Sequence, residues 1–253
     1  SMNWEHLFYV ALPIIAFLYA SVGHGGASGY LALMALFSFS PSIMKPSALV
    51  LNILVSLISF SQFNSRVQLN WRLFFFLILG SIPAAFLGGL ISIDNGYYRP
   101  ILALLLAIPI VRLLGFYEIK ESAIKDFSIF YSLLIGASIG FISGVIGIGG
   151  GIILSPLLLL LGWSNFKETS ATSALFITVN SIAGLFGLFK SGSLAGFFDL
   201  DSLNGNHFLW MLLLAFLGGS LGAYFGAKKL PIVALKRILA LVLLMAAIKL
   251  VLT

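Results

Sequence analysis

Long apolar runs, separated by short polar segments, form the main pattern of this sequence. A helix that crosses a bilayer needs about 20 mostly apolar residues. The first run, residues 7–39, is too long for one straight span and is interrupted by the glycine-rich residues 21–26. It predicts a helix over residues 7–20, a break, and a shorter helix over residues 28–37. The fifth run, residues 127–161, is also overlong and contains a glycine-rich segment at residues 144–151.

The remaining apolar runs each predict a single helix. They are residues 47–63, 73–93, 100–114, 171–189, 208–227 and 233–252. Strands of an outer-membrane barrel would instead alternate in polarity over about ten residues. Residues 117–126 are the most charged stretch and are expected in water. The sequence therefore predicts an all-α, polytopic membrane protein with about eight transmembrane helices, of which the first and fifth are broken by glycine.

Composition narrows the functional class. Only 9% of the 253 residues are charged and 60% are hydrophobic, whereas about a quarter of the residues of a soluble domain are charged. This excludes a soluble enzyme, a nucleic-acid-binding domain and a disordered chain. The Lys and Arg residues stand singly at the ends of apolar runs, where they meet lipid headgroups. We expect a multi-pass protein of a cell membrane, in a bacterium the inner membrane, with no cofactor and no metal site.

Short segments of the first half recur in the same order in the second half. Residues 23–26 align with 147–150, 47–49 with 173–175, 80–88 with 218–226, and 99–104 with 236–241; Arg112 then falls opposite Lys249. We expect two homologous four-helix halves, residues 2–116 and 127–253, joined by a polar linker over residues 117–126. A duplicated helical membrane protein with one broken helix per half is typical of secondary transporters. For any single glycine, close helix packing is the alternative.

These motifs resemble a known family. Residues 144–156 (GVIGIGGGIILSP), followed by residues 169–175 (TSATSAL), are similar to the sulfite exporter TauE/SafE family, and residues 23–29 with 45–48 resemble its partner motif. The resemblance covers residues 7–252. It implies an integral membrane transporter of sulfite, sulfonates or related small anions. Ala27 stands opposite Gly151 and His24 opposite Ile148, so a strictly symmetric site is not expected.

The glycine breaks predict where an anion would bind. A broken helix leaves backbone N–H groups that lipid cannot satisfy, and the positive end of the restarting helix favours an anion. Polar side chains at helical spacing, Asn52, Ser56 and Ser59 in one run and Ser173 and Asn180 in another, would complete the site or would bond neighbouring helices. The predicted binding residues are Gly23, His24, Gly25, Gly26, Ser28, Ser47, Asn52, Ser56, Gly147, Gly149, Gly150, Gly151, Thr169, Thr172, Ser173 and Asn180.

Three ionisable residues have further candidate roles. His24 is the one titratable side chain predicted inside the apolar runs, which makes it the candidate for proton coupling. A neutral His bonded to a backbone carbonyl is the alternative. Lys45 and Lys167 each precede a polar helix start, where they would attract anions or anchor the chain at the interface.

Two other functions and the topology stay open at this stage. A passive anion channel fits the same composition, and Gly26-Ala-Ser-Gly29 matches the serine motif of intramembrane proteases, which would need a His near Ser28. Lys and Arg are nearly equal on alternate loops of an eight-span topology, so the positive-inside rule assigns no orientation. Eight spans would make the halves parallel, whereas counting each broken run as two segments would invert them. We expect eight. The oligomeric state is left open.

Overall fold

The computed structural model describes residues 4–22, 27–64, 68–115, 119–120, 122–195, 197, 203–229 and 231–253. In this part of the chain the regular structure is entirely helical, without a strand. The helices are α1 (Trp4–Val22), α2 (Ala27–Leu36), α3 (Pro41–Asn64), α4 (Trp71–Leu90), α5 (Asn95–Leu113), α6 (Ile129–Ile146), α7 (Gly151–Leu161), α8 (Phe166–Lys190), α9 (Leu203–Lys229) and α10 (Ile232–Leu252).

Six of the described helices are long and apolar enough to cross a membrane. They are α3, α4, α5, α6, α8 and α9. Two more apolar stretches, His6–Ala20 and Gly151–Leu161, are shorter. The 21 residues of α10 carry Lys236, Arg237 and Lys249. The all-helical class is therefore as predicted, and the expected number of about eight spans compares with six that meet these criteria.

Each of the two overlong runs folds as a helical hairpin. In the first, α2 turns back along α1, so that Phe8 packs edge to face with Phe39 at a centroid distance of 4.9 Å. In the second, α7 returns beside the segment that leads into α6, where the N–H of Lys125 donates to the carbonyl of Gly162 at 2.8 Å. Residues 147–150 connect α6 to α7 at the tip of the second hairpin. Residues 23–26, between α1 and α2, lie outside the described residues.

Helix ends meet in two groups. In the first, Lys45 near the start of α3 donates to the carbonyl of Ile91 after α4 at 3.0 Å, and Arg99 near the start of α5 donates to Thr253 after α10 at 3.4 Å. The starts of α1 and α9 and the end of α2 belong to the same group, since their aromatic side chains line one cavity there. We call this group the Lys45 end.

The second group of helix ends lies opposite. Arg112, near the end of α5, shares a cavity with Phe166 at the start of α8 and with Lys236 near the start of α10. The starts of α4 and α6 meet where the guanidinium of Arg72 lies 5.6 Å from the centroid of the Phe127 ring. The end of α7 is joined to this group by the bond between Lys125 and Gly162. We call it the Arg112 end.

The two halves of the chain run in opposite directions. The first half begins with α1 at the Lys45 end, and the second half begins with α6 at the Arg112 end. The packing has the same symmetry. In the repeat, α9 is the counterpart of α4 and α1 is the counterpart of α6; α4 runs along α6, and α9 runs along α1. The counterparts α3 and α8 cross each other. This differs from the parallel halves that eight full spans predict. The reason is that each overlong run turns back on itself and adds one reversal of direction to each half.

Glycine brings the paired helices into backbone contact. A Cβ atom at Gly136 of α6 would lie 2.0 Å from the carbonyl oxygen of Leu77 in α4. In the related pair, a Cβ atom at Gly218 of α9 would lie 2.2 Å from the carbonyl oxygen of Pro13 in α1. Such contacts are possible only without a side chain. The contact at Gly136 therefore sets how closely α6, which leads into the tip of the second hairpin, packs against α4.

Candidate functional site

The tip between α6 and α7 has a backbone that only glycine adopts readily. The φ angles of Gly147, Gly149 and Gly150 are +89°, +80° and +82°. In this left-handed region a Cβ atom would clash with the neighbouring peptide group. Residues 147–152 are all buried, and they lie beside the middle of α3 and α8. The helix therefore breaks inside the bundle rather than at its surface.

A run of backbone donors at this tip lacks acceptors. Among the described residues, nothing accepts a hydrogen bond from the N–H groups of residues 148–152. The regular bonding of α7 starts only at Ile153 and Leu154, which both donate to the carbonyl of Gly150. Buried N–H groups are almost always paired with protein or water. Five successive buried donors at the positive end of a helix therefore form a place for water or for an anion.

The carbonyl groups at the end of α6 are satisfied by other helices. Asn52 Nδ2 donates to the carbonyl of Gly147 at 3.0 Å, and the hydroxyl of Tyr98 donates to the carbonyl of Ile146 at 2.7 Å. The negative end of α6 is thus bonded to α3 and α5. The donors at the start of α7 have no such partner, so the tip presents hydrogen-bond donors.

Asn180 contributes an amide group to the same place. Its side chain is fully buried, and neither Nδ2 nor Oδ1 has a hydrogen-bond partner among the described residues. A Cβ atom at Gly150 would lie 3.7 Å from Asn180 Nδ2. Asn52 Oδ1 is also buried without a partner. Both asparagines therefore keep unused hydrogen-bonding capacity next to the tip.

Other predicted polar residues bond neighbouring helices. Ser56 of α3 forms a 2.6 Å hydrogen bond with the hydroxyl of Thr178 in α8. Ser59, on the same face of α3, is buried. Ser56 therefore joins α3 to α8, which is the packing role that the sequence left open. Thr178 was not among the predicted residues, because a threonine in an apolar helix gives no separate signal.

A small cavity connects the start of α7 with the Arg112 end. Its volume is about 30 Å³, which suits about one water molecule. The polar residues that line it are Tyr19, Arg112, Gly151, Ser155, Ser170 and Ser173. Within it, Ser155 Oγ lies 2.7 Å from Ser173 Oγ and donates to the carbonyl of Gly151 at 2.9 Å. Of this set the sequence singled out Gly151 and Ser173 but not Arg112, which resembles an interfacial anchor at the end of an apolar run.

Two predicted residues, Ser47 and Thr169, lie away from the tip. Ser47 lines a cavity of about 320 Å³ at the Lys45 end, where its buried hydroxyl has no partner. Thr169 is bonded to Ser164 at the start of α8, at 2.5 Å between the hydroxyl oxygens. Thr172 is buried on α8. The structure therefore does not bring Ser47 and Thr169 to the tip.

The residues of the first glycine segment remain a prediction. Gly23, His24, Gly25 and Gly26 lie outside the described residues. The hypothesis that His24 couples proton movement to transport therefore stays a hypothesis. Ser28, just beyond the segment, is buried and its hydroxyl lies 2.7 Å from that of Tyr19, rather than beside a described His.

The two lysines that sequence placed near a mouth differ from each other. Lys45 is buried, and its Nζ donates to the carbonyls of Gly88 and Ile91 at the end of α4. It therefore stabilises a helix C-terminus instead of meeting solvent or lipid headgroups. Lys167 is exposed in the first turn of α8. Within the described residues, His, Asp and Glu side chains form no group that could hold a metal ion.

Comparison with known proteins identifies the family. The family model described as sulfite exporter TauE/SafE matches residues 8–250. A relative in Sinorhizobium fredii, named probable membrane transporter protein y4hK, is 37% identical over 247 residues, which are 95% of this chain and 96% of that protein. In Magnetospirillum gryphiswaldense, the probable membrane transporter protein MamO is 32% identical over 122 residues, or 48% of this chain and 19% of that protein. No solved structure matches. With six helices able to span a bilayer and a match over nearly its whole length, the chain belongs to the sulfite exporter TauE/SafE family of multi-pass membrane transporters.

Proposed function

We propose that the protein is a secondary transporter of small sulfur oxyanions, sulfite or a sulfonate, and that it binds them at the tip between α6 and α7. The observation that carries this proposal is the row of N–H groups at residues 148–152, which are buried and have no acceptor among the described residues. An anion with several acceptor oxygens matches such a row. The positive end of α7 supplies favourable electrostatics without a charged side chain.

The two asparagines would orient the ligand. Asn180 Nδ2 is free to donate to an oxyanion, since it has no partner and lies next to Gly150. Asn52 uses its Nδ2 to hold the Gly147 carbonyl away from the ligand. The ligand would thus meet donors on the α7 side of the tip and would be kept apart from the nearest carbonyl oxygen.

Opposite directions of the two halves support a carrier rather than a channel. Inverted halves with broken helices near the membrane centre are the usual basis of alternating access. A passive channel is the second candidate. The two differ in counterflow: a carrier loaded with unlabelled sulfite accelerates the uptake of labelled sulfite from the opposite side, whereas a channel does not.

The distribution of Lys and Arg between the two ends supports an orientation of the protein in the membrane. Among residues whose side chains are described, the Arg112 end carries Arg72, Arg112, Lys120, Lys125, Lys167, Lys236 and Arg237, and the Lys45 end carries Lys45, Arg99, Lys190 and Lys249. Loops rich in Lys and Arg face the cytoplasm. The Arg112 end would therefore face the cytoplasm. An eight-span topology would place some of these residues on the opposite side, so it shows no such asymmetry.

Binding and uptake of a panel of anions test the proposal. Sulfite, sulfate, thiosulfate, a sulfonate and a small carboxylate would be titrated into purified protein by calorimetry and supplied to proteoliposomes. We expect sulfite or the sulfonate to bind and to be taken up, and the carboxylate to compete weakly. Failure of all sulfur oxyanions to bind would overturn the proposal.

A further inference from the structure

The guanidinium of Arg112 is an unused cation between two cavities. Arg112 is half-buried near the end of α5, and it lines both the 30 Å³ cavity at the start of α7 and an open cavity of about 1240 Å³ at the Arg112 end. It forms no hydrogen bond or ion pair with any residue that the structure describes. Arginine carries five N–H donors in a rigid fork.

The charged side chains that line the open cavity at Arg112 are all basic, and most of its other lining residues are apolar. Lys120, Lys236 and Arg237 line it together with Arg112, and its described lining contains no Asp or Glu. A cleft lined by charges of one sign raises the local concentration of counter-ions. The inner cavity adds the hydroxyls of Ser155, Ser170 and Ser173 and the backbone of Gly151. Arg112 and Ser170 line both cavities, so both lie where the cleft meets the inner cavity.

The counterpart of Arg112 in the other half has a different role. Lys249 falls opposite Arg112 in the internal repeat, and its Nζ bonds to the carbonyl of Leu36 and to Ser38 Oγ at the end of α2. That cation stabilises a helix C-terminus. Arg112 makes no such contact with α7, although α7 is the counterpart of α2. A structural capping role therefore does not account for Arg112.

We propose that Arg112 is a substrate-binding residue: it receives the oxyanion from the basic cleft at an access site in front of the tip, which it forms with Ser170 at the mouth of the inner cavity. This deepens the proposed function and depends on it. The ligand class is an oxyanion that presents two oxygens bound to the same central atom, such as sulfite or a sulfonate. The guanidinium fork can donate to both of these oxygens at once. A phosphate headgroup of a lipid has the same chemistry, so the test must separate the two.

Sulfite titrations into four proteins test this site. They are the wild type, Arg112→Gln, Arg112→Lys, and Arg99→Gln as a control on the same helix at the Lys45 end. We expect Arg112→Gln to weaken sulfite binding at least tenfold, Arg112→Lys to weaken it less, and Arg99→Gln to leave it unchanged. Wild-type affinity in Arg112→Gln would overturn the access site while the proposed function stands. No sulfite binding by the wild type would overturn both.

Two further measurements complete the test. The titrations are repeated in nanodiscs of phosphatidylcholine alone and of phosphatidylcholine with phosphatidylglycerol. A loss of affinity confined to discs with the anionic lipid would assign Arg112 to a headgroup and overturn the proposal. Should Arg112→Gln fail to fold, Ser170→Ala replaces it, because the one bond of the Ser170 hydroxyl to a described residue lies within its own helix, to the carbonyl of Phe166. We expect about threefold weaker sulfite binding in Ser170→Ala, and unchanged binding would count against the site.

Discussion

Folding alone gives no reason for the amide at position 180. Asn180 is fully buried and neither polar atom has a protein partner. A buried polar group in that state costs about 1–3 kcal/mol of folding free energy. An apolar side chain of similar size would avoid this cost. The ligand that we propose for the tip would supply the missing partner.

Replacement of Asn180 should separate binding from stability. We expect Asn180→Leu to weaken sulfite binding at least tenfold, since a lost hydrogen bond to a charged ligand is worth roughly 1.5–3 kcal/mol. The thermal unfolding temperature should stay the same or rise. Ser181→Ala is the matched control, because Ser181 is equally buried and its hydroxyl also lacks a partner. If the two variants bind sulfite equally well, Asn180 is not a ligand.

Asn52 should behave differently, because its Nδ2 holds the carbonyl of Gly147. Asn52→Leu leaves that carbonyl buried without a donor, so we expect a loss of about 1–3 kcal/mol in unfolding free energy together with weaker transport. Ser59→Ala, on the same buried face of α3, should change stability by less. Thermal unfolding in detergent measures both variants. A wild-type unfolding temperature in Asn52→Leu would show that this bond does not support the tip.

At the scale of the helices, contacts between glycines and backbone atoms set how closely α4 and α6 approach. Gly136 has no room for a Cβ atom, because the carbonyl oxygen of Leu77 would lie 2.0 Å away. Gly219 in α9 has room, with only Val55 at 3.8 Å. The same substitution should therefore have opposite effects in these two helices.

We expect Gly136→Ala to lower the unfolding temperature and to reduce transport, because α6 and the tip that it carries must move away from α4. Gly219→Ala should be neutral or stabilising, since alanine favours a helix over glycine by about 1 kcal/mol. Both variants are compared by thermal unfolding and by uptake into proteoliposomes. Equal stability of the two would mean that the α4–α6 contact adjusts without cost.

The sequence predicted the helices better than their arrangement. Apolar runs located every described helix, with ends that differ from the observed ones by up to six residues, because burial in lipid or protein leaves the same signature along the chain. The role of Lys45 could not be predicted from the apolar pattern. Its buried position and its bonds to Ile91 and Gly88 depend on α4, which is distant in sequence. Arg112 was missed for the same reason, as only the packed fold places it beside Ser173 and Gly151.

For the whole molecule, the inverted halves place the two ends on opposite sides of the membrane. The chain has no cysteine, so a single introduced cysteine reports without background. Lys120, at the Arg112 end, and Tyr97, at the Lys45 end, are both exposed. These two positions can therefore be compared directly in intact cells.

We expect an impermeant maleimide to label Tyr97→Cys in intact cells and to label Lys120→Cys only after the membrane is opened. The reason is the excess of Lys and Arg at the Arg112 end, which retains that end in the cytoplasm. A C-terminal fluorescent fusion, attached at the Lys45 end, is the independent control. The reverse labelling pattern would invert the orientation and would place the basic cleft outside the cell.

The opposite direction of the two halves also has an energetic consequence. If each half can adopt the conformation of the other, most internal contacts are replaced by equivalent contacts in the opposite half. The states that open to either side then have nearly equal free energies. A ligand then needs only a small difference in affinity to change which state is populated. Departures from the repeat decide the resting population. The bond from Lys249 to Leu36, which Arg112 does not reproduce, is one such departure. It would bias the unloaded transporter towards the state in which this bond is formed.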